Sequence, residues 1–488
     1  MIVDVNGNPI VTEAPQKRRY EAAKMDRLTY DWSTAPLTDN QSLKGDWAAL
    51  VARSRELIRN NPFANGFVID AVKNVIGPKG ITLQNKAVGN DGKLDKKDNA
   101  TIEKAWNDWG KKGICDVSGR YSFRTALQLT VRQSARDGEY IIRKRRGNFN
   151  RYGFAIQFIN PELLDYQLNE IRKNGNIIFM GVELDEYLKP VQYWFKKTNG
   201  PHYHPVTSRS YVTIPANEII HGFIAHEPDQ VRGVPWTASV MKRLNMLDGY
   251  EEAELVAARI ASAKMGFFET PTGEEYTGDE IDDFGNIISE VEPGIMEQLP
   301  AGVKFNSYDP QHPTTAYGQF VKDNLRGCAT GLGISYVGLA KDLEGVNYSS
   351  IRAGVLSERD LWKDLQAWTI ETVLDDIFPE WLETSLRQGA IKDDQGNMLP
   401  LSKFDKFNAA EWLPRTWPWV DPLKDVQAEN FEINTLKIKT RTQAAAERGR
   451  DFEDVIKKQS EEQQLAESYG IILNEDAQEV VENDKQDD

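Results

Sequence analysis

Cysteine is nearly missing from this chain: Cys115 and Cys328 are the two present among 488 residues. Their separation excludes a disulfide framework and a cysteine-held metal site, and buried free thiols are the expectation. Histidine is scarce too, with five. "HYH" would set His202 and His204 on one face of a strand, with His221 and His226 nearby. A helix motif such as HExxH is lacking, so loop and strand-end histidines explain them better than a metal. No apolar run is long enough to span a bilayer, and "MIVDVNGNPIVTEAPQKRRY" lacks the basic-then-apolar order of a secretory leader, so the chain is expected on the cytosolic side, with no membrane partner. Basic charge is also short: 59 Lys and Arg against 74 Asp and Glu give a net charge of −15. Tight nucleic-acid binders concentrate cations and release counterions, so this balance argues against a firm grip on DNA and leaves room for weak contact.

Signatures of catalysis are lacking as well. "GPKGIT" (77–82) does not have the GxxxxGK[ST] order of a phosphate loop and reads as a turn after a helix. "GLG" (331–333) is a lone GxG, commoner at a helix C-terminus than in a dinucleotide site. There is no GxSxG elbow, and the many carboxylates carry no spacing that marks a pair as acid and base. The strongest basic cluster, "RKRRGNFNR" (143–151), lies strand–turn–strand, which favours a solvated hairpin tip or a subunit contact over a nucleic-acid patch. No enzyme activity and no cofactor are expected.

What the chain does contain is a sequence of distinct segments, too long for one core. Residues 1–45 mix Pro, Asn, Asp and Thr without periodicity and read as an arm. From 46 to 77 apolar residues recur at helical spacing, interrupted at Pro62 and closed by Gly77, predicting two helices with a corner. A helix around Trp106 and Trp109 and another from Phe123 follow. Between 139 and 224, "EYIIRKR", "FAIQFI", "IIFMGVEL", "PVQYWFKK" and "EIIHGFI" predict short strands. Then come three long helices, expected at 235–264 with Pro235 in the first turn, at 313–333, and at 349–378, the last capped by Ser349 or Ser350 and ended before Pro379. Between the first two, residues 274–292 hold eight acids and no Lys or Arg: Glu274, Glu275, Asp279, Glu280, Asp282, Asp283, Glu290 and Glu292. Ahead of the third runs a short polar stretch, Lys341, Asp342, Leu343, Glu344, Gly345, Val346 and Asn347. After a Trp-rich turn, "EWLPRTWPWVDP", the chain is charged and largely helical, and an acidic tail starts at Asn474.

Nine of these segments, in order between about 50 and 360, carry a resemblance: "RNNPFANGFVIDAVKNVIGPKGITLQ", "WNDWGKK", "SARDGEYIIRKR", "INPELL", "GVELDEYLKPVQYWF", "IPANEIIHGF", "QVRGVPW", "YEEAELVAARIASA" and "GLGISYVGLAKDLEGVNYSSIRAG". Together the chain resembles the lambda-like portal family of tailed bacteriophages. The resemblance implies an α+β portal fold assembled as a ring, commonly a dodecamer, at one capsid vertex. It implies an N-terminal arm (1–45), an α+β wing (46–234), a stem helix (235–265), a small mixed α/β clip (266–312), a second stem helix (313–333) and a tunnel loop (334–348). A long wing helix (349–378), a wing return (379–420), a helical crown (421–473) and an acidic tail (474–488) complete it. The ring would conduct double-stranded DNA, packaged by the terminase large subunit and later ejected, and would meet major capsid, scaffold and head-completion or adaptor proteins. The tunnel loop, Lys341 to Asn347, would then contact DNA, and the acids of 274–292 would receive terminase. Residues 334–348 carry a net charge of −1, which keeps friction on phosphate low. The alternative is a DNA-processing or metal-dependent enzyme of the packaging machinery; a head-completion connector would also form rings but is generally shorter and lacks a wing.

Overall fold

The computed structural model describes residues 27, 30–31, 33–89, 91–198, 210–262, 266–269, 280–281, 287–288, 304–307, 317–344, 348–417, 422–448 and 450–469. The first helix, α1 (Asp39–Asn60), starts earlier than its apolar spacing suggests. Thr38 and Gln41 form a reciprocal capping box that satisfies the orphan amides of the first turn, so the expected arm gives up its last residues to helix. The corner at Pro62 is as predicted. Asn61 accepts from the amides of Phe63 and Ala64 at 3.0 Å each, and α2 (Pro62–Val75) begins with its proline where no N–H is needed.

β1 (Thr82–Asn85), α3 (Lys96–Trp109) and α4 (Phe123–Asp137) follow. α4 ends on Gly138, whose φ of +88° is left-handed and whose Cα faces the backbone of Val234 so closely that no side chain fits. The chain then enters β2 (Glu139–Arg146) and β3 (Phe154–Ile159), a hairpin with the basic cluster at its tip. A meander of β4 (Glu170–Ile171), β5 (Ile177–Phe179), β6 (Val182–Leu184), β7 (Pro190–Lys196) and β8 (Tyr211–Pro215) makes a five-stranded antiparallel sheet. β9 (Ile219–Phe223) returns to pair with β2.

The next helix corrects one expectation. α5 (Met241–Ser262) does not open at Pro235; residues 236–240 are successive turns, and the Trp236 amide donates to the Ala135 carbonyl of α4 at 3.2 Å. Beyond it, β10 (Gly266–Glu269) pairs with β13 (Lys304–Ser307), and β11 (Glu280–Ile281) with β12 (Ile287–Ile288). α6 (Tyr317–Leu332) ends at Gly333, φ +71°, as the lone GLG predicts. A short α7 (Tyr336–Ala340) precedes α8 (Tyr348–Thr369). Ser349 and Ser350 lie inside α8 and are not its N-cap.

The third long helix is not ended by Pro379. α8 runs through a π-turn at Ile370–Leu374 into α9 (Asp375–Arg387), which contains the proline. The π-turn widens the ladder by one residue, the Asp375 amide reaching back to Ile370, and the proline stands just past the break, where the backbone is already re-registered. α10 (Phe404–Phe407) and β14 (Ala410–Leu413) follow, and β14 pairs antiparallel with β1 from Thr82↔Leu413 to Asn85↔Ala410. Part of the Trp-rich turn is therefore strand. The helical end comprises α11 (Pro422–Asn430), a π-turn at Phe431–Leu436, α12 (Arg441–Glu447) and α13 (Phe452–Ser468).

The main core joins α2, α3, α4, the β2–β3 hairpin, α6 and the α8–α9 rod. At its centre Trp106 lies 4.8 Å from Trp109, 5.1 Å from Phe123, 5.0 Å from Trp381 and 5.6 Å from both Phe378 and Trp412, mostly tilted or edge-on. Truncating such a ring costs roughly 3–5 kcal/mol, so this hub holds the rod against the N-terminal helices. A second core, including Ile141, Leu164, Val182, Tyr193, Phe195 and Ile214, lies under the five-stranded sheet.

Both cores meet at a buried ionic cluster. Arg232 and Glu139 are each fully buried and bridged at 2.5–3.0 Å, and Glu139 also accepts from the Gly233 amide at 2.9 Å. His221 Nε2 lies 3.1 Å from the same carboxylate, and the Arg232 guanidinium stacks 4.2 Å from the Trp47 ring centre. Burial pushes the Glu139 carboxyl up, but the Arg232 and His221 charges prevail and hold it at about 2. Cys115 and Cys328 are buried free thiols, and burial raises Cys115 to about 12.

Candidate functional site

The polar stretch ahead of the long helix is not a bare loop. Ser335 caps α7, accepting from the Gly338 amide at 2.9 Å, and Leu339 points into the main core. Lys341 closes α7 in the left-handed region, φ +57°, with its amide bonded to the Val337 carbonyl at 2.9 Å. Its ammonium pairs with Asp70 of α2. Asp342 accepts from the Tyr336 hydroxyl at 2.8 Å and the Glu344 amide at 2.9 Å. Lys322 of α6 sits 3.3 Å from both Asp342 and Glu344. The Glu344 amide and the Tyr336 hydroxyl hold Asp342 below the ordinary carboxylate range, and the bonds to Glu344 and Asp342 raise Lys322. Leu343 is 64 % exposed and belongs to neither pair. Gly345, Val346 and Asn347 lie outside the described residues.

Every charge of this stretch is thus met inside the same chain. That matters chemically, because an ammonium already facing a carboxylate offers phosphate much less than an unpaired one. Glu358 of α8 is the largest omission of the sequence reading: it accepts the Ser335 amide at 2.9 Å and the Ser335 hydroxyl, fastening α7 to the long helix. Asp70 and Lys322 were equally hidden, since each sits in an unrelated helix.

The acidic stretch is reached by the structure at one position. Glu280 stands on β11 opposite Ile288, whereas Glu274, Glu275, Asp279, Asp282, Asp283, Glu290 and Glu292 lie outside the described residues.

The basic cluster is a hairpin tip, as expected, and its charges are largely committed. Arg143 bonds Glu218 at 2.7 Å, Lys144 bonds Asp376 at 2.9 Å and reaches Glu380 at 3.5 Å, Arg146 pairs with Glu380, and Arg151 pairs with Asp108. Arg145 stacks 5.4 Å from the Phe149 ring centre. The tip is therefore a clamp onto α9 and α3. His221 belongs to the Glu139–Arg232 cluster; His202 and His204 lie outside the described residues. Among the described residues no group of His, Cys, Asp and Glu gathers as a metal set, and no helix is long and apolar enough to cross a membrane.

Comparison with known proteins adds the context of this geometry. The profile of the family described as "Phage portal protein, lambda family" matches residues 25–366, a span that includes α7 and the stretch after it. The "Probable portal protein" of Halomonas phage phiHAP-1 is 38 % identical, covering 98 % of this chain and 94 % of that protein. "Portal protein B" of Escherichia phage lambda is 21 % identical over 86 % of this chain and 84 % of its own length, and the "Portal protein" of Escherichia phage N15 is 20 % identical over 90 % and 88 %. Among solved structures, "Neck of empty GTA particle computed with C6 symmetry" aligns with a TM-score of 0.43 at 12 % identity, covering 83 % of this chain and 94 % of that one. "Virion of native gene transfer agent (GTA) particle" aligns with a TM-score of 0.43 at 10 % identity over 83 % and 93 %. With the family profile spanning most of its length and one relative similar from end to end, the chain belongs to the lambda family of phage portal proteins.

Proposed function

We propose that this portal protein closes into a ring, a dodecamer in the form expected, at one vertex of the phage capsid, and that double-stranded DNA enters and later leaves through its channel. The stretch from Lys341 to Asn347 stands in that channel as the tunnel loop. The observation that carries this reading is the internal pairing of Lys341 with Asp70 and of Lys322 with Asp342 and Glu344. A conduit has to let phosphate slide, and a ring of unpaired lysines would bind it instead: six to ten such contacts give roughly 10³–10⁵ of salt-sensitive affinity. Leu343 is then the exposed contact surface of the described loop.

In this reading α1 through β9 form the wing, α5 and α6 the stem, and the strands between them the clip. The α8–α9 rod is the long helix, and α11 through α13 the crown. The chain is a channel and not a catalyst; a separate terminase large subunit supplies the motor and docks on the acidic clip. Capsid, scaffold and adaptor proteins meet the ring's outer surfaces, in the virion and, during assembly, in the host cytoplasm. A heterologous contact that closes on itself is the geometry a ring needs.

Electron microscopy of the purified chain, with rotational symmetry counted, tests the assembly. A monodisperse monomer at micromolar concentration refutes it. Removing residues 345–347 tests the loop: rings should form as before while heads lose packaged DNA, and normal filling and yield would refute the loop's role.

A further inference from the structure

The charged part of the candidate tunnel loop is fastened at three points, each on a different helix. At its near end Glu358 of α8 takes the Ser335 amide at 2.9 Å together with the Ser335 hydroxyl. A side chain at Gly338 would run into that same carboxylate, and a methyl at Gly354 would sit 3.3 Å from the Ser335 Cβ. Both glycines therefore lie where the Ser335–α7 segment meets α8, and a side chain at Gly338 would take the space the Glu358 carboxylate occupies. In the middle, Lys341 pairs with Asp70 of α2. At the far end, Lys322 of α6 lies 3.3 Å from Asp342 and from Glu344.

We infer that Glu358 and Lys322 are positioning residues that set where the tunnel loop stands, Glu358 by tying α7 to the long helix and Lys322 by tying residues 342–344 to the second stem helix. The inference rests on the reading of this loop as the DNA contact. Neither residue is assigned any touch to DNA. The two ties differ in kind: a backbone N–H and a hydroxyl both given to one carboxylate form a charge-assisted mount, whereas Lys322 and Glu344 form a part-exposed ion pair that side-chain entropy and salt weaken. When α6 and α8 shift relative to one another, the Lys322 tie yields first and the loop follows α8.

Trypsin, which cuts after Lys341 when the backbone there opens, reads both ties on the assembled ring of the full chain. Lys322→Ala should raise cleavage roughly two- to five-fold, and Lys322→Arg should restore the parental rate. Glu358→Ala should raise it roughly tenfold or more, with Glu358→Gln between the two because it keeps the acceptor oxygen. Rings and melting temperature should match the parent in each variant. Unchanged cleavage in Lys322→Ala and Glu358→Ala overturns the inference, and so does faster cleavage accompanied by a general fall in melting temperature, which marks a merely structural role. DNA held in filled heads is the second readout. Faster cleavage with reduced retention supports the inference together with the loop's role. Faster cleavage with parental packaging and retention keeps the two ties and overturns the reading of the loop as the DNA contact.

Discussion

Two groups of ion pairs in this chain use the same side-chain chemistry to opposite ends. Around Arg232 a carboxylate, a guanidinium, an imidazole and a backbone amide are enclosed where two sheets and α1 converge. Around the stretch from Lys341 to Glu344, Lys341 and Lys322 face three carboxylates near solvent, the Lys341 side chain being 61 % exposed and Lys322 33 %. Burial decides the outcome. An enclosed pair that loses one partner leaves an uncompensated charge in low dielectric, so breaking the cluster is strongly destabilising. An exposed pair is screened and weak, so it holds a position without locking it. A conduit has use for both: a scaffold that does not yield and a loop that does.

The comparison breaks most clearly at Glu139. Glu139→Gln leaves Arg232 without its counter-charge and should cost ~3–5 kcal/mol in urea unfolding. A loss under about 1 kcal/mol would place the cluster with the exposed pairs instead.

Acid should reach the same group next. The folded Glu139 value lies near 2 against an ordinary 4.5, so its stabilisation is complete above 4.5 and is lost as pH falls toward about 2. The full difference amounts to on the order of 3 kcal/mol. Urea unfolding at a series of pH values should show this slope in the parent and lack it in Glu139→Gln; equal slopes would contradict the assignment.

A smaller effect sharpens the loop side. Alanine is the better helix former by about 1 kcal/mol, so propensity alone says Gly338→Ala stabilises α7. The Glu358 carboxylate occupies the space that the methyl would enter, so the change should instead loosen α7, read as faster amide exchange at residues 336–340 with the rest of the chain unaltered.

The smallest effect is salt. Raising ionic strength to 1 M shortens screening to ~3 Å and should weaken the Lys322 and Lys341 pairs while the Glu139 cluster is unmoved. Amide exchange at Glu344 and at Tyr140, compared between low and high salt, should rise only at Glu344.

Much of the scaffold was legible because its causes are local. Pro62 and Gly77 bound α2, the β-branched and aromatic runs "EYIIRKR" and "FAIQFI" give the β2–β3 hairpin, and GLG ends α6, all through backbone rules acting within a few residues. The ordered segments that match the portal family fall in the same category, since each is read along the chain. Other features depended on residues far away. Pro379 stands inside a helix because a π-turn precedes it and the Trp106 hub packs the rod on both sides of the proline, at Phe378 and Trp381. The turns ahead of α5 are tied to α4, the Trp236 amide meeting the Ala135 carbonyl. β1 finds its partner in β14, Asn85 opposite Ala410, across most of the chain.

The candidate site divides along the same line. Sequence alone determined that a short, weakly charged stretch precedes a long helix and that no lysine cluster lies within it. Only the tertiary structure decided that Lys341 meets Asp70, that Lys322 meets Asp342 and Glu344, and that Glu358 holds Ser335. Charge is a property of residues and is counted along a chain, but pairing is a property of distance, and the distances here are set by helices packing around a core.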